Sequence, residues 1–374
     1  MTRPAHGAAP VSSLDPGQGA LREGWTAGRG PAGAELAAAG SAGAVLHRRP
    51  PCDGPLFIVL NLRSGEHDGQ DPVQAIEAVL REAGRPYELL KVERPDALKS
   101  TAARAVERAR ERQGVVVAAG GDGTINSVAQ AVLDTGLPFG VLPQGTFNYF
   151  GRTHHIPLDA GEATRALLGA QPEPTQVGLV NDRIFLVNAS LGLYPKLLED
   201  REVFKRQYGR TRWVALWSGL VTLMRERRQL LLRIEHEGEA RLVRTSTLFI
   251  GNNSLQLEQV GIPEAESLDQ GRLVALSVKP VSSWAMLGLV LRGAVGRLGD
   301  ADHVVSFDFR RMEVSPVVAP GRRARLKVAT DGETTWMAAP LSFRVAPQPL
   351  WLLKPPRPQD GEAGPAAKTA SSAA

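Results

Sequence analysis

The chain has 374 residues, 43% hydrophobic and 22% charged, with a formal net charge of +5. That is the balance of a folded chain long enough for two cores, and it excludes a collagen-like or wholly disordered polymer. One cysteine, Cys52, excludes an internal disulfide and a cysteine metal cluster, and a reducing cytoplasm is the expected setting.

Residues 1–54 are rich in Ala, Gly and Pro, with almost no large apolar side chain, and read as a disordered extension without a secretory h-region. Order is expected from Leu56-Phe57-Ile58-Val59-Leu60, a buried-strand pattern ending in the polar turn Asn61-Leu62-Arg63-Ser64-Gly65. Pro72 to Ala83 has helical spacing behind a cap at Asp71, Tyr87 to Val92 reads as a strand, and Asp96 to Arg112 as a longer helix. Val115 to Ala119 is a third strand and Pro138 to Leu142 a fourth. Asp159 to Gly169 closes this part as a helix. Strands alternating with helices predict a doubly wound parallel α/β domain over residues 55–170.

From about Thr175 the pattern changes to short strand-like runs: Ile184–Asn188, Leu230–Glu235, Leu242–Ile250, Arg272–Val278, Val304–Phe309, Met312–Val317 and Ala324–Ala329. They predict an antiparallel β-sandwich over residues 171–349. Residues 350–354 read as a strand returning to the first domain, and 355–374 as a disordered tail.

Between Arg201 and Arg228 eight Lys/Arg face two Glu, a local charge of +6. The apolar residues Trp213 to Met224 within that basic frame suggest an amphipathic helix over 210–228. It suits either a membrane surface or packing on the sandwich. The longest apolar runs, Trp213 to Met224 and Trp284 to Leu291, fall short of the roughly 20 residues a membrane span needs. His154-His155 has no partner at metal-ligand spacing.

The stretch that carries chemistry is Val115 to Asn126. A β-branched run stops at Gly120-Gly121, bends through Asp122-Gly123, and restarts as a helix at Thr124-Ile125. Glycines let backbone N–H groups approach a ligand, and a helix start adds a positive dipole end, so the turn suits phosphate oxygens. Asp122 beside phosphate implies a bridging cation. A second loop of like character, Gly145-Thr146-Phe147-Asn148, follows the fourth strand. Thr124 and Thr146 offer hydroxyl donors, and Asn126 is placed to orient the turn.

These residues carry a family resemblance. Gly120-Gly121-Asp122-Gly123-Thr124 with Asn126, then Pro143-Gln144-Gly145-Thr146-Phe147-Asn148, resembles the diacylglycerol kinase catalytic domain, whose superfamily includes bacterial soluble lipid kinases and sphingosine kinases. Asn61 to Gly65, Asn188-Ala189-Ser190-Leu191-Gly192, Gly251-Asn252-Asn253 and Asp331-Gly332-Glu333 extend it in the same order over roughly Pro55 to Lys354. The resemblance implies ATP and Mg2+ as cofactors and a lipid with a free hydroxyl as acceptor. No nucleic acid is expected as a partner, the expected setting is cytoplasmic, and contact with the inner membrane face through 210–228 and homodimer formation are left open. By motif, Asn61, Ser64, Gly120, Gly121, Asp122, Gly123, Thr124, Asn126, Gly145, Thr146 and Asn148 would bind nucleotide. Asp122 would act on the magnesium–phosphate group, and Glu333 would be the general base, aimed by Asp331 and Gly332.

Two departures stand out. Tyr149 follows Asn148 where the family commonly has Asp. The turn Leu268-Asp269-Gln270-Gly271-Arg272 has Gln270 at an acidic position of a structural magnesium site, leaving Asp269 as the candidate ligand. NAD kinase, which shares a Gly-Gly-Asp-Gly-Thr loop, is an alternative, but the Asn-Glu pair expected there is missing. A sensor without turnover is another.

Overall fold

The structure, a computed structural model, describes residues 49–61, 71–192, 229–282, 301–318 and 324–356, with 285, 288, 289, 292 and 296–299. Ser64 and the 210–228 stretch lie outside the described residues.

Five parallel strands and one antiparallel strand build the first sheet. They are β1 (Leu56–Leu60), β2 (Tyr87–Lys91), β3 (Val115–Gly120), β4 (Pro138–Pro143), β5 (Gln171–Thr175) and β18 (Leu350–Lys354), in the order β2-β1-β3-β4-β18-β5. β5 is the antiparallel member, paired to β18. β1, β3 and β4 are buried along their whole length, which is why they read as unbroken apolar runs rather than alternating ones. Helices α1 (Pro72–Glu82) and α5 (Ala160–Leu168) pack on each other, as do α2 (Leu98–Glu111) and α3 (Asp122–Val132). Local chemistry sets their starts. The Asp71 side chain accepts from Val73 N at 3.0 Å ahead of Pro72, and Asp159 accepts from Glu162 N at 2.8 Å. The short helix α4 (Tyr149–Thr153) follows β4.

The remaining strands form two antiparallel sheets. One has the order β10-β9-β14-β17-β6-β7, from β6 (Gly178–Val180), β7 (Arg183–Phe185), β9 (Leu230–His236), β10 (Glu239–Thr245), β14 (Arg311–Pro316) and β17 (Leu341–Val345). The other has the order β13-β12-β11-β8-β15-β16, from β8 (Asn188–Gly192), β11 (Thr247–Gly251), β12 (Leu273–Val278), β13 (Val304–Phe309), β15 (Arg325–Thr330) and β16 (Glu333–Ala338). Phe185, Leu232, Met312 and Phe343 from the first meet Leu191, Ile250, Phe309 and Val328 from the second in one core. The pair is a sandwich, as the run of short strands predicts. Helix α6 (Ser254–Gln259) and the 3-10 turn Pro263–Gln270 cover Val274 and Leu276 on the outer face of the second sheet.

The strand boundaries differ from the sequence reading in three instructive places. Leu242–Ile250 is two strands in different sheets. Thr245 is buried and its hydroxyl donates to the carbonyls of Thr247 and Val278, breaking the run. Ile184–Asn188 is not continuous either, because Leu186 and Val187 turn their amides onto Asp331. Gln171–Thr175 and Glu333–Ala338 carry no buried-strand pattern in sequence, yet each is a strand held by its neighbours.

Candidate active site

The glycine turn is built by β3 running straight into α3. Gly121 caps the helix, its carbonyl accepting from Thr124 N at 2.9 Å and Ile125 N at 3.0 Å. Helix α3 opens at Asp122, so the amides of Asp122 and Gly123, ahead of those two, have no helix carbonyl one turn back. A Cβ on Gly120 would lie 2.8 Å from Thr124 Cβ, so the strand end and the helix meet at van der Waals contact only because position 120 is glycine. Asn61, at the end of β1, donates from Nδ2 to Thr124 Oγ1 at 2.9 Å and fixes that hydroxyl.

The second loop leans on the first. Gln144 N donates to Gly120 O at 2.9 Å. Asn148, at φ 49°, closes the loop on itself: its Oδ1 accepts Gly145 N and its Nδ2 donates to Gly145 O, both at 2.8 Å. A Cβ at Gly145 would sit 2.7 Å from Gly121 Cα. Gly145→Ala is therefore expected to push the two loops apart, at roughly 1–3 kcal/mol for overpacking. Nucleotide titration and thermal melting check this. Wild-type affinity with wild-type melting would contradict the close packing.

The Asp122 carboxylate is half-buried and sits at the start of α4, where backbone amides of Asn148, Tyr149 and Phe150 face it. Burial pushes its pKa up and the nearby Asp331 charge adds to that, while the amides pull it down. Thr146 is exposed. Phe147 stacks on Tyr149 with centroids 6.0 Å apart.

Across from the glycine turn stands the β15–β16 hairpin. Thr330 pairs with Glu333, and Asp331 (φ 47°) and Gly332 (φ 90°) both take the left-handed region. That is the two-residue primed turn that Asp-Gly favours. Glu333 is exposed at the start of β16, and its Oε1 lies 3.6 Å from where a Cβ would stand on Gly123. The carboxylate thus reaches the mouth of the glycine turn, more than 200 residues away in sequence.

Asn126 is placed differently from the reading that has it orienting the turn. Its side chain is buried and donates to Asp331 Oδ2 at 2.6 Å. It works between the two units rather than on the glycine loop. Asp269 is exposed at the end of the 3-10 turn, and no cluster of three metal-ligating side chains occurs among the described residues. Instead Arg272 pairs with Asp308 and, at 2.8 Å, with Glu237. A guanidinium already neutralises Glu237 and Asp308, so these two carboxylates are not open ligands for a divalent cation.

Two contributors escape the sequence reading. Gln130 lies one turn beyond Asn126 and bonds the second unit, which its i,i+4 spacing on a polar face could have signalled. Gln144 has both side-chain amide atoms buried with no hydrogen-bond partner, a polar group without a mate at the start of the second loop.

Comparison with known proteins bears on this arrangement. Residues 55–180 match the family model of the diacylglycerol kinase catalytic domain. Over those residues the chain is similar to that kinase catalytic domain. The domain is a kinase domain, so the enzyme class is kinase. The diacylglycerol kinases of Staphylococcus aureus strains JH9 and Newman are 29% identical to it over 226 residues, covering 54% of this chain and 70% of theirs. Two solved structures from Bacillus anthracis str. Sterne share the fold. One is described as a putative diacylglycerol kinase (TM-score 0.62, 19% identity, 81% of this chain and 98% of that one). The other is described as a diacylglycerol kinase (TM-score 0.58, 17% identity, 81% and 97%). The kinase domain supplies the glycine turn, and the base candidate comes from beyond it. Among the described residues no helix is long and apolar enough to cross a membrane.

Proposed function

We propose that the protein is an ATP-dependent lipid kinase, transferring a phosphoryl group to a hydroxyl of diacylglycerol or a related lipid. The observation that carries the reading is the approach of Glu333 to Gly123, a free carboxylate at the mouth of a phosphate-type glycine turn. In this reading residues 55–170 bind the donor and 171–349 receive the acceptor.

The residues fit a nucleotide triphosphate. Gly120 and Gly145 let the two loops and the start of α3 pack at contact, and the orphaned Gln144 amide lies buried at the start of the second loop. When bound, magnesium-ATP supplies the γ-phosphoryl group and neutralises its charge. Magnesium commonly enters with phosphates and needs only one or two protein carboxylates, which suits Asp122. The chain's own work is positioning and proton transfer. The first-turn amides of α3 hold phosphate oxygens, Asn61 keeps the Thr124 hydroxyl aimed, and the Gly145 loop closes the other side. Glu333 accepts the proton of the lipid hydroxyl as that oxygen attacks. We place contact with a membrane surface in residues 210–228, on their charge and Trp content.

The test is product analysis with ATP, magnesium and a choice of acceptors. Phosphorylated lipid from mixed vesicles, with no phosphorylated NAD, is the expected outcome. Phosphorylated NAD with untouched lipid would replace this reading with that of an NAD kinase.

A further inference from the structure

Helix α3 begins as the glycine turn, and one turn further in it becomes a bracket. Asn126 and Gln130 stand four residues apart and share a face. Gln130 Oε1 accepts Ile184 N at 2.9 Å, and its Nε2 donates to Asp182 O at 3.3 Å. Asn126 Nδ2 donates to Ile184 O at 3.3 Å and to Asp331 Oδ2 at 2.6 Å.

Asp331 is the point where three pieces of chain meet. Its Oδ2 also accepts Leu186 N at 2.7 Å, and its Oδ1 accepts Val187 N and Asn188 N, each at 2.9 Å. Four donors converge on two oxygens, an arrangement that serves a carboxylate anion and leaves no acceptor for a carboxylic O–H. Leu186 and Val187 form the crossover from β7 in one sheet to β8 in the other. The carboxylate therefore pins α3, the crossover and the hairpin turn at once. Glu333 follows two residues later, directly after Gly332 on that turn.

We infer that Asn126 is a positioning residue: through Asp331 it holds the Glu333 hairpin against the donor loop, so that ordering the loop orders the base. The inference rests on Glu333 being the base. Gln130 is the internal comparison, because it docks the same helix on the same unit without touching the hairpin.

Hydrogen exchange and steady-state kinetics on the full chain decide it, with wild type, Asn126→Ala, Asn126→Gln and Gln130→Ala. Asn126→Gln keeps an amide donor and displaces it by one methylene, guarding against a failure of the alanine variant to fold. In both Asn126 variants, amides 186–188 and 331–334 are expected to exchange about ten-fold faster, since a local opening is made easier. Magnesium with a non-hydrolysable ATP analogue should slow these amides in wild type and in Gln130→Ala, but not in the Asn126 variants. Turnover should fall roughly 10- to 100-fold, as for a misplaced catalytic group, with KM for ATP held within about two-fold. Unchanged exchange at 331–334 in a folded Asn126 variant would overturn the inference, and so would equal effects from Gln130→Ala. If wild type transfers no phosphate, the lipid kinase reading falls, and the exchange comparison alone still decides whether Asn126 couples the loop to the hairpin.

Discussion

Glutamine in place of Glu333 is expected to lower phosphoryl transfer by roughly 10²- to 10⁴-fold, the range that a positioned general base contributes. Glutamine keeps the shape and an acceptor oxygen but cannot take a proton from an alcohol. KM for ATP should hold, because the hydrogen bonds that shape the two loops come from Asn61 and Asn148 and not from Glu333. Melting should hold as well, since Glu333 is exposed and exposed substitutions change stability little. Kinetics with a melting scan separate these effects. A variant that keeps a tenth of wild-type turnover would move the base role away from Glu333, and Asp122 would be examined next.

Asp122→Asn is expected to split activity from stability. Burial raises the Asp122 pKa in the folded chain, and the neighbouring Asp331 charge raises it further. The sign follows from linkage. Below the ordinary carboxylate pKa the group is protonated folded and unfolded, and its stabilising share is fully present. As pH rises through the raised folded-state pKa, the anion must form half-buried, and that share is lost. At neutral pH the asparagine variant lacks this penalty, so its melting temperature should equal or exceed that of wild type without nucleotide. Turnover should fall by roughly 10²- to 10³-fold, as when one preorganised electrostatic group is removed. On acidification toward the carboxylate range, the melting difference between variant and wild type should shrink. A variant that melts several degrees lower at neutral pH would show that the amides of Asn148, Tyr149 and Phe150 need the anion more than burial penalises it.

The donor half of this site is legible in the sequence because its determinants are local. Glycine spacing, the strand before it and the helix after it lie within a dozen residues, and the structure places Gly120 to Thr124 as that pattern requires. The Asp331-Gly332 turn is legible for the same reason, being a two-residue hairpin signal. The cage around Asp331 is not. Its donors come from Asn126 and from residues 186–188, and no periodicity relates such distant segments. Asn148 shows a finer limit. The motif makes it a nucleotide-ligand candidate, but its side-chain amide is occupied in closing its own loop, where a left-handed backbone and two 2.8 Å hydrogen bonds make it a shaping residue. The charge balance around the turn that carries Asp269 is likewise a long-range matter. Arg272 lies three residues further on in sequence, but that it pairs with Glu237 and Asp308 depends on β9, β10 and β13 coming together.

The most direct measurement of the central claim is transfer of labelled γ-phosphate from ATP, with magnesium, to lipids in mixed vesicles containing diacylglycerol, comparing wild type with Glu333→Gln. The account predicts labelled lipid from wild type and only a trace from the variant at equal ATP binding. Wild-type protein that binds ATP and labels no lipid above that variant, across diacylglycerols and sphingoid bases, would contradict it.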